Sequence, residues 1–480
     1  MELDSKDSSG NAVPQGEEVE HAGKREIEGE TALGQEKPKA TADDPIADRL
    51  LKIHAILEEL TSSPWSHDVL ELAIATVISP LISEQDASAL VWLLIVGPPS
   101  GDKTVIVLLL KGSSIVLYVD TLTENALASG YAPEHGRKRE PDLLEQIEKD
   151  GIRCLLIKDL TTLFSLRDDR VKKVLGELQS VFDGEFVKAT GTVGLRKRRT
   201  NFSIIACVTP HALIRHHRYM SLIGGRFLSY AAPRLTDDER KEGFEVTWET
   251  TDRRKKMDEL RQLVAEHVKA LLEPPVELEP ETLEQRARLN RLAELLAHGR
   301  AALRWRETRL GGWEIESVQT EEPYRALQQF RNLGRALTLV HGRTALSDHE
   351  LEIIRQVVLS SIPADRAEVV ARFQNHPEGL TAKACAEGIG KSEDRARQLL
   401  NELERIGMVV RQAGQPDGQG RPPEVYLPVA KFTDLIVRRR EPVDHMLDLG
   451  SDLTDKTPPK DKEVEKEAEE PPAATDVNDQ

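Results

Sequence analysis

Cysteine is scarce: the 480 residues hold three, Cys154, Cys207 and Cys385, an odd number with no CxxC pair. Such a set suggests neither a disulfide framework nor a cysteine zinc site, and it suits a reducing cytoplasm. Aromatic residues are also few, at 4%, and hydrophobic residues make up 39%, so the core is modest for the length. Long hydrophobic runs are missing. The longest, such as 89–96, are too short for a bilayer, so no membrane span is expected. The opening Met-Glu-Leu-Asp lacks a basic region followed by an apolar stretch, so no secretory signal is expected either. No internal repeat is evident.

What is abundant is charge, at 31% of residues and a net −17. Its distribution matters more than its sum. Residues 1–45 carry 5 basic and 12 acidic side chains and residues 441–480 carry 4 and 13, which leaves residues 46–440 at −1. The acidity belongs to the two ends. Both are poor in large apolar residues and cannot offset their ordering entropy, so they are expected to be disordered.

Between the ends the texture changes in order. Apolar residues at helical spacing in 46–61 and 69–82 predict two packing helices. Short apolar runs at 89–96, 114–119, 154–157 and 203–208 then alternate with helical stretches and glycine turns, the pattern of a mainly parallel sheet covered by helices on both faces. Residues 251–362 read as helical, interrupted by the proline-rich 273–280 and by Gly311-Gly312. Helices at 366–374, 382–387 and 392–406, followed by short strands at 408–411 and 424–427, read as a winged helix-turn-helix. The expected organisation is therefore an acidic tail over 1–45, an α/β core over 46–250, a helical lid over 251–362, a winged unit over 363–432 and a second acidic tail over 433–480.

The sharpest local signal is Gly97-Pro98-Pro99-Ser100-Gly101-Asp102-Lys103-Thr104, directly after a buried strand and before an apolar run. Small residues let backbone N–H groups wrap a phosphate, a lysine meets the β and γ phosphates, and a hydroxyl serves Mg²⁺. Lys103 and Thr104 meet these needs. Asp102 stands where the second glycine of GxxxxGK[ST] belongs, and is expected to crowd the turn and weaken phosphate binding. An ordinary Gly-Pro turn is the other reading of the segment. The strand 154–157 leads to Asp159, where an NTPase places a Mg²⁺ carboxylate, but the next position, often the glutamate that activates water, is Leu160. A common turn start would look the same. Thr209 follows the strand 203–208, where a polar residue can position water. Arg226 follows Gly224-Gly225, where an arginine can reach a neighbouring subunit's γ-phosphate; alone it reads equally as a solvated loop residue.

In this order the motifs resemble those of AAA+ ATPases, specifically the helicase-type proteins of phages and mobile elements related to the minichromosome maintenance helicases. The resemblance spans about residues 46–430. It rests on the Walker-A-like 97–104, the Walker-B-like 155–159, a hairpin region from Phe182-Asp183-Gly184-Glu185 through Arg199, Thr209 at the sensor-1 position, Gly225-Arg226-Phe227, and a lid helix over 324–343. It implies an ATP-binding α/β protein with Mg²⁺ at Thr104 and Asp159, catalytic roles for Lys103, Asp159, Thr209 and Arg226, and Arg331 or Arg335 as a sensor-2 contact. It further implies a homo-oligomeric ring, such as a hexamer, acting on DNA in replication as a helicase or loader; an adaptor that recruits a primase or polymerase through its acidic tails is a third reading. Asp102, Leu160 and Thr209 depart from the pattern and point to ATP binding without fast turnover. A DNA-binding regulator or assembly scaffold with a degenerate ATPase core is the alternative.

Candidate DNA contacts are Arg196, Lys197, Arg198 and Arg199 in the hairpin, where cations can track phosphates, and Lys391, Ser392, Arg395, Arg397 and Arg421 in the winged unit. A solvated basic turn and a protein-docking role, respectively, remain the competing readings. Residues 366–427 hold 9 basic and 9 acidic side chains, so this unit has no strong electrostatic footprint. His216-His217 reads as a surface pair, not a metal site.

Overall fold

The computed structural model describes residues 45–437, apart from 62, 87, 100, 128–140, 191–193, 216–222, 224, 234, 274–276, 310–311 and 415–421, with the backbone alone at 190, 214 and 215. Both acidic ends, Ser100, Arg421, Gly224 and His216-His217 lie outside the described residues.

The chain begins with α1 (Pro45–Leu60) and α2 (Ser66–Asp86). Then follow β1 (Trp92–Val96), α3 (Lys103–Val107) continued by a 3-10 turn over Leu108–Gly112, β2 (Val116–Val119), α4 (Leu143–Asp150) and β3 (Cys154–Ile157). After α5 (Thr161–Phe164) and α6 (Asp168–Phe182) come β4 (Glu185–Thr190), β5 (Gly194–Arg199), β6 (Ser203–Val208), α7 (Pro210–Arg215) and β7 (Phe227–Ala231). The helical region holds α8 (Asp237–Glu249), α9 (Arg253–Leu272), α10 (Leu283–Gly299), α11 (Tyr324–Val340) and α12 (Asp348–Ser360), with β8 (Ala302–Glu307) and β9 (Trp313–Gln319) between α10 and α11. Last are α13 (Ala364–Arg372), β10 (Leu380–Thr381), α14 (Ala382–Ile389), α15 (Glu393–Arg405), β11 (Val409–Ala413), β12 (Glu424–Pro428) and α16 (Thr433–Val437).

The four apolar runs become β1, β2, β3 and β6, and β7 completes a five-stranded sheet in the order β2-β3-β6-β1-β7. Every pairing is parallel, with Val96 opposite both Val208 and Ala231, and Ile157 opposite Ala206. All residues of β1, β3 and β6 are buried, as expected where helices cover both faces. The period of two divides each strand between two cores. Leu93, Ile95, Leu156, Ile205 and Cys207 face the side that holds α2. Trp92, Leu94, Leu155, Ile157 and Ile204 face the side that holds α6.

Helix α2 is long and apolar enough to cross a membrane by length and composition, yet 78% of its apolar window is buried inside the protein. It is a core helix, packed against β6, α3 and α11. Its internal Pro80 has no N–H for the carbonyl of Thr76, four residues earlier; the Ser79 hydroxyl donates to that oxygen at 2.9 Å.

The helical reading of 251–362 needs correction. A β-hairpin, β8 with β9, interrupts it. The run Ala302-Leu-Arg-Trp-Arg-Glu alternates in period two, and that local alternation is the pattern of a strand with one face outward. The C-terminal unit follows its expected order, three helices and then a hairpin, and adds β10 to give a three-stranded sheet in the order β10-β12-β11. Gly379 is fixed by geometry: its φ is +107°, and a Cβ there would meet Val425 Cγ1 at 2.5 Å. Arg366 anchors this unit to the end of α10 by donating to the carbonyls of Gly299 and Ala301 at 3.0 and 2.7 Å.

One buried base sets an acid limit on this packing. His267, on α9, is fully buried, and burial together with the nearby Arg49 pushes it down to about 4. As pH falls from the ordinary histidine range toward 4, the unfolded chain takes up a proton that the folded chain refuses, so stability falls over that window and not above it. The full effect is about 3 kcal/mol, from a shift of roughly 2.5 units at 1.36 kcal/mol each. Denaturant unfolding at pH 7.5 and pH 5 should show a shallower acid loss for His267→Leu than for the wild type.

Candidate functional site

The loop from β1 to α3 is held at the carboxyl ends of the central strands. Gly97 N–H donates to Val208 O at 3.2 Å, which seats the loop beside the end of β6. A side chain at Gly97 would press within 3.3 Å of both Ala232 Cβ and Lys103 Cδ, so glycine lets the lysine stem lie against the strand exit. Gly101 N–H donates to Pro98 O at 3.3 Å and closes a tight turn.

Asp102 does not crowd the turn as expected. Its backbone sits at φ −59° and ψ −4°, ordinary right-handed geometry open to any residue, so it does not strain the turn. Its carboxylate accepts from the Thr61 hydroxyl at 2.7 Å and the Ser63 hydroxyl at 2.9 Å. The aspartate therefore ties the loop to the connection between α1 and α2.

Lys103 is buried, at 6% exposure, and its ammonium donates to Pro98 O at 2.7 Å. Burial holds it below the usual lysine range, while Cys207 and Asp159 pull in the opposite direction. Burial likewise pushes the Cys207 thiol up to about 12. Lys103, Asp159 and Cys207 thus share one electrostatic neighbourhood. Asp159 Oδ1 accepts from Thr161 N–H at 2.8 Å, which aims the carboxylate as it starts α5. Leu160 is buried at 2% exposure and its N–H donates to Cys207 O at 2.8 Å, so this position packs and carries no base. Thr209 follows β6, which lies between β1 and β3; its hydroxyl accepts from Ala212 N–H at 3.4 Å and caps α7. The register brings Gly97, Thr209 and Asp159 to one end of the sheet.

Three arginines lie toward the other end. Arg226 precedes Phe227, the residue opposite Trp92 at the start of β1. It is 12% exposed, pairs with both Asp183 oxygens at 2.8 and 3.1 Å, donates to Ile223 O at 3.0 Å and lies over the Phe182 ring. Arg335 donates to Glu281 and to Asp86 at 2.8 Å each, and Arg331 donates to Glu281 at 3.1 Å. Asp86 leads into β1, whereas the loop leaves β1 five residues later, about 16 Å along an extended strand. The structure therefore pairs Arg335 and Arg331 with acids that precede β1 and α10.

The basic hairpin is largely paired. Arg196 is buried against Asp142, just before α4, and Arg198 pairs with Glu148 at 2.6 Å and Glu145 at 3.3 Å. Antiparallel pairing sends Glu185, Val187, Leu195, Lys197 and Arg199 to the exposed face, with Lys197 beside Glu185 at 2.8 Å. Arg196 is thus a structural cation, and Lys197 and Arg199 are the hairpin cations that face outward. In the C-terminal unit, Ser392 caps α15 by accepting from Arg395 N–H. Lys391 bonds Glu368, Arg395 bonds Asp365, and Arg397 bonds Glu393 at 2.6 Å.

Sequence reasoning missed one constellation, in which Glu71, His341, His349 and His54 meet between α1, α2 and the α11–α12 connection. No short spacing announces it, because the residues are scattered over some 300 positions. The available signal was Glu71 itself, an acid in an otherwise apolar helix that must find partners when buried.

No protein-family profile matches the chain, and no curated protein matches it. Among solved structures the chain is similar to one described as "SCCmec type IV Cch - active helicase", with 84% of this chain and 75% of that one covered, 12% identity and a TM-score of 0.29. A similarity that low leaves the function to be argued from the residues.

Replacing Asp102 by alanine strands two hydroxyls that now share its carboxylate. Asp102→Ala should lower stability by about 2 kcal/mol in thermal or denaturant unfolding, within the usual range for buried polar groups left unpartnered, and Asp102→Asn should lose less.

Proposed function

We propose that this chain is an ATP-binding protein of the AAA+ type that acts on DNA as a helicase or helicase loader. The observation that carries the reading is the buried Lys103, whose ammonium bonds only a neutral carbonyl among the described residues and which shares its surroundings with Asp159. A buried cation beside a glycine loop at the carboxyl ends of parallel strands suits a phosphate. Gly97, Pro98, Pro99, Gly101 and Thr104 would line the nucleotide, and Thr104 and Asp159 would hold Mg²⁺. One Asp159 oxygen accepts from Thr161 and the other is left for the metal shell. The bound metal would neutralise charge on the phosphates.

Arg226 stands at the opposite end of the sheet from its own loop, so it can serve a nucleotide only on a neighbouring subunit, as a ring would supply. To do so it must leave Asp183. DNA would meet the outward hairpin face through Lys197 and Arg199, and the C-terminal unit, a winged helix-turn-helix in this reading, would add contacts. A replication setting, with a primase or polymerase partner in the cytoplasm, belongs to the same proposal.

The buried Leu160 favours a second reading, in which ATP is bound and only slowly turned over and the chain works as a nucleotide-switched, DNA-binding scaffold. The two readings part on turnover. ATP binding and hydrolysis should be measured with and without single- and double-stranded DNA. Lys103→Ala is expected to weaken nucleotide binding by at least about tenfold, the loss of one charge-assisted bond of 1.5–3 kcal/mol. DNA-stimulated hydrolysis lost in Lys103→Ala supports the motor, binding without turnover supports the scaffold, and absence of nucleotide binding by folded protein overturns both.

For DNA, the double substitution Lys197→Ala with Arg199→Ala should weaken binding across sequences and flatten the salt dependence by about two contacts' worth of slope. Arg196→Ala should instead lower stability, since the buried Asp142 loses its ion pair. Salt titrations of DNA affinity, read beside unfolding curves, separate the two outcomes.

A further inference from the structure

Three side chains from distant parts of the sequence converge beside α2. Glu71 Oε2 lies 3.1 Å from His341 Nε2 and 3.6 Å from His349 Nε2. The three ligand atoms all lie within 4.8 Å of one another. Glu71 is 3% exposed and His341 8% exposed, so Glu71 Oε2 and His341 Nε2 face each other in a buried setting with His349 Nε2 beside them.

The outer shell is built as well. His341 Nδ1 lies 2.7 Å from Glu350 Oε1, and Glu350 is itself fully buried and fixed by Arg343. A carboxylate on Nδ1 fixes the tautomer and leaves Nε2 as a lone-pair donor, the arrangement that orients metal-bound histidines. On the far side, Glu71 Oε1 lies 3.2 Å from His54 Nε2. His349 is half-exposed, at 39% for its side chain, which opens a path from solvent.

We propose that Glu71, His341 and His349 form a binding site for a divalent transition metal of the zinc class. Two imidazoles and one carboxylate suit zinc over magnesium or calcium, which take oxygen ligands. Tetrahedral bonds of 2.0–2.2 Å set their ligands about 3.3 Å apart, close to the 3.1 and 3.6 Å that separate Glu71 Oε2 from the two histidine nitrogens. With three protein ligands the fourth position belongs to water. The metal would pin α2 to the α11–α12 connection, which no short-range contact along the chain does. The inference does not depend on the proposed function.

The test uses the full chain, stripped with chelator and dialysed against Zn²⁺, with bound metal counted by elemental analysis. About one zinc per chain is expected, and His349→Ala, at a half-exposed position, should weaken binding by at least tenfold with the fold intact by circular dichroism. Glu350→Gln should weaken it by about 10–100-fold through the outer shell. Co²⁺ added to the wild-type chain should give the visible absorption of tetrahedral cobalt, a readout that needs no variant. Wild-type protein that takes up no more zinc than His349→Ala, or that gives no tetrahedral cobalt spectrum, overturns the proposal and leaves His341 as a charged imidazole shared between Glu71 and Glu350.

Discussion

Strand β1 is buried along its whole length, so its peptide groups have no water to bond and must be satisfied on both edges by other strands. It pairs with β6 on one side and β7 on the other, in parallel and in register. That one requirement arranges much else. It sets the Gly97 loop beside Thr209 at one end of the sheet, with Asp159 one strand beyond. At the other end it sets Arg226 and the docking of α11, whose Gln329 and Asn332 donate to the carbonyls of Leu90 and Ala89 at 3.2 and 3.0 Å. A parallel sheet separates strand starts from strand ends, and here it separates the Gly97 loop from Arg226.

Pairing of charge is the second organising influence. Residues 46–440 are close to neutral, and among the described residues many cations are spent on acids of the same chain. Arg196 goes to Asp142, Arg226 to Asp183, Arg335 to Asp86 and Glu281, and Lys391 to Glu368. Exposed pairs among these add little to stability, but buried ones such as Arg196 with Asp142 are costly to break, because the survivor keeps its desolvation without its partner. Lys103 differs, buried against a carbonyl instead of a carboxylate, and for that reason it carries the functional reading.

Much of the fold was legible residue by residue. Fully apolar runs of four to eight residues gave four of the five strands, because a strand covered on both faces leaves no polar position. β7 was harder to see, as Phe227-Leu-Ser-Tyr-Ala is short and broken by a serine. Two helices of the C-terminal unit carry local caps, Thr381 and Ser392 at their starts and Gly390 in the left-handed region at the end of one. The hairpin β8–β9 escaped because its alternation is brief and mostly exposed, set within long helical stretches.

By itself the sequence determined what local pattern can determine: buried strands, capped helices, the loop with its lysine, and the charge imbalance of the ends. Tertiary structure decided which charged groups meet. Asp102 became a tether to Thr61 and Ser63, the sensor arginines became partners of Asp86 and Glu281, and Glu71, His341 and His349 became neighbours. Backbone preference and hydrophobic period act over a few residues and are written locally. Pairing of charges depends on distances across the folded chain, and those exist only after the sheet and helices have packed.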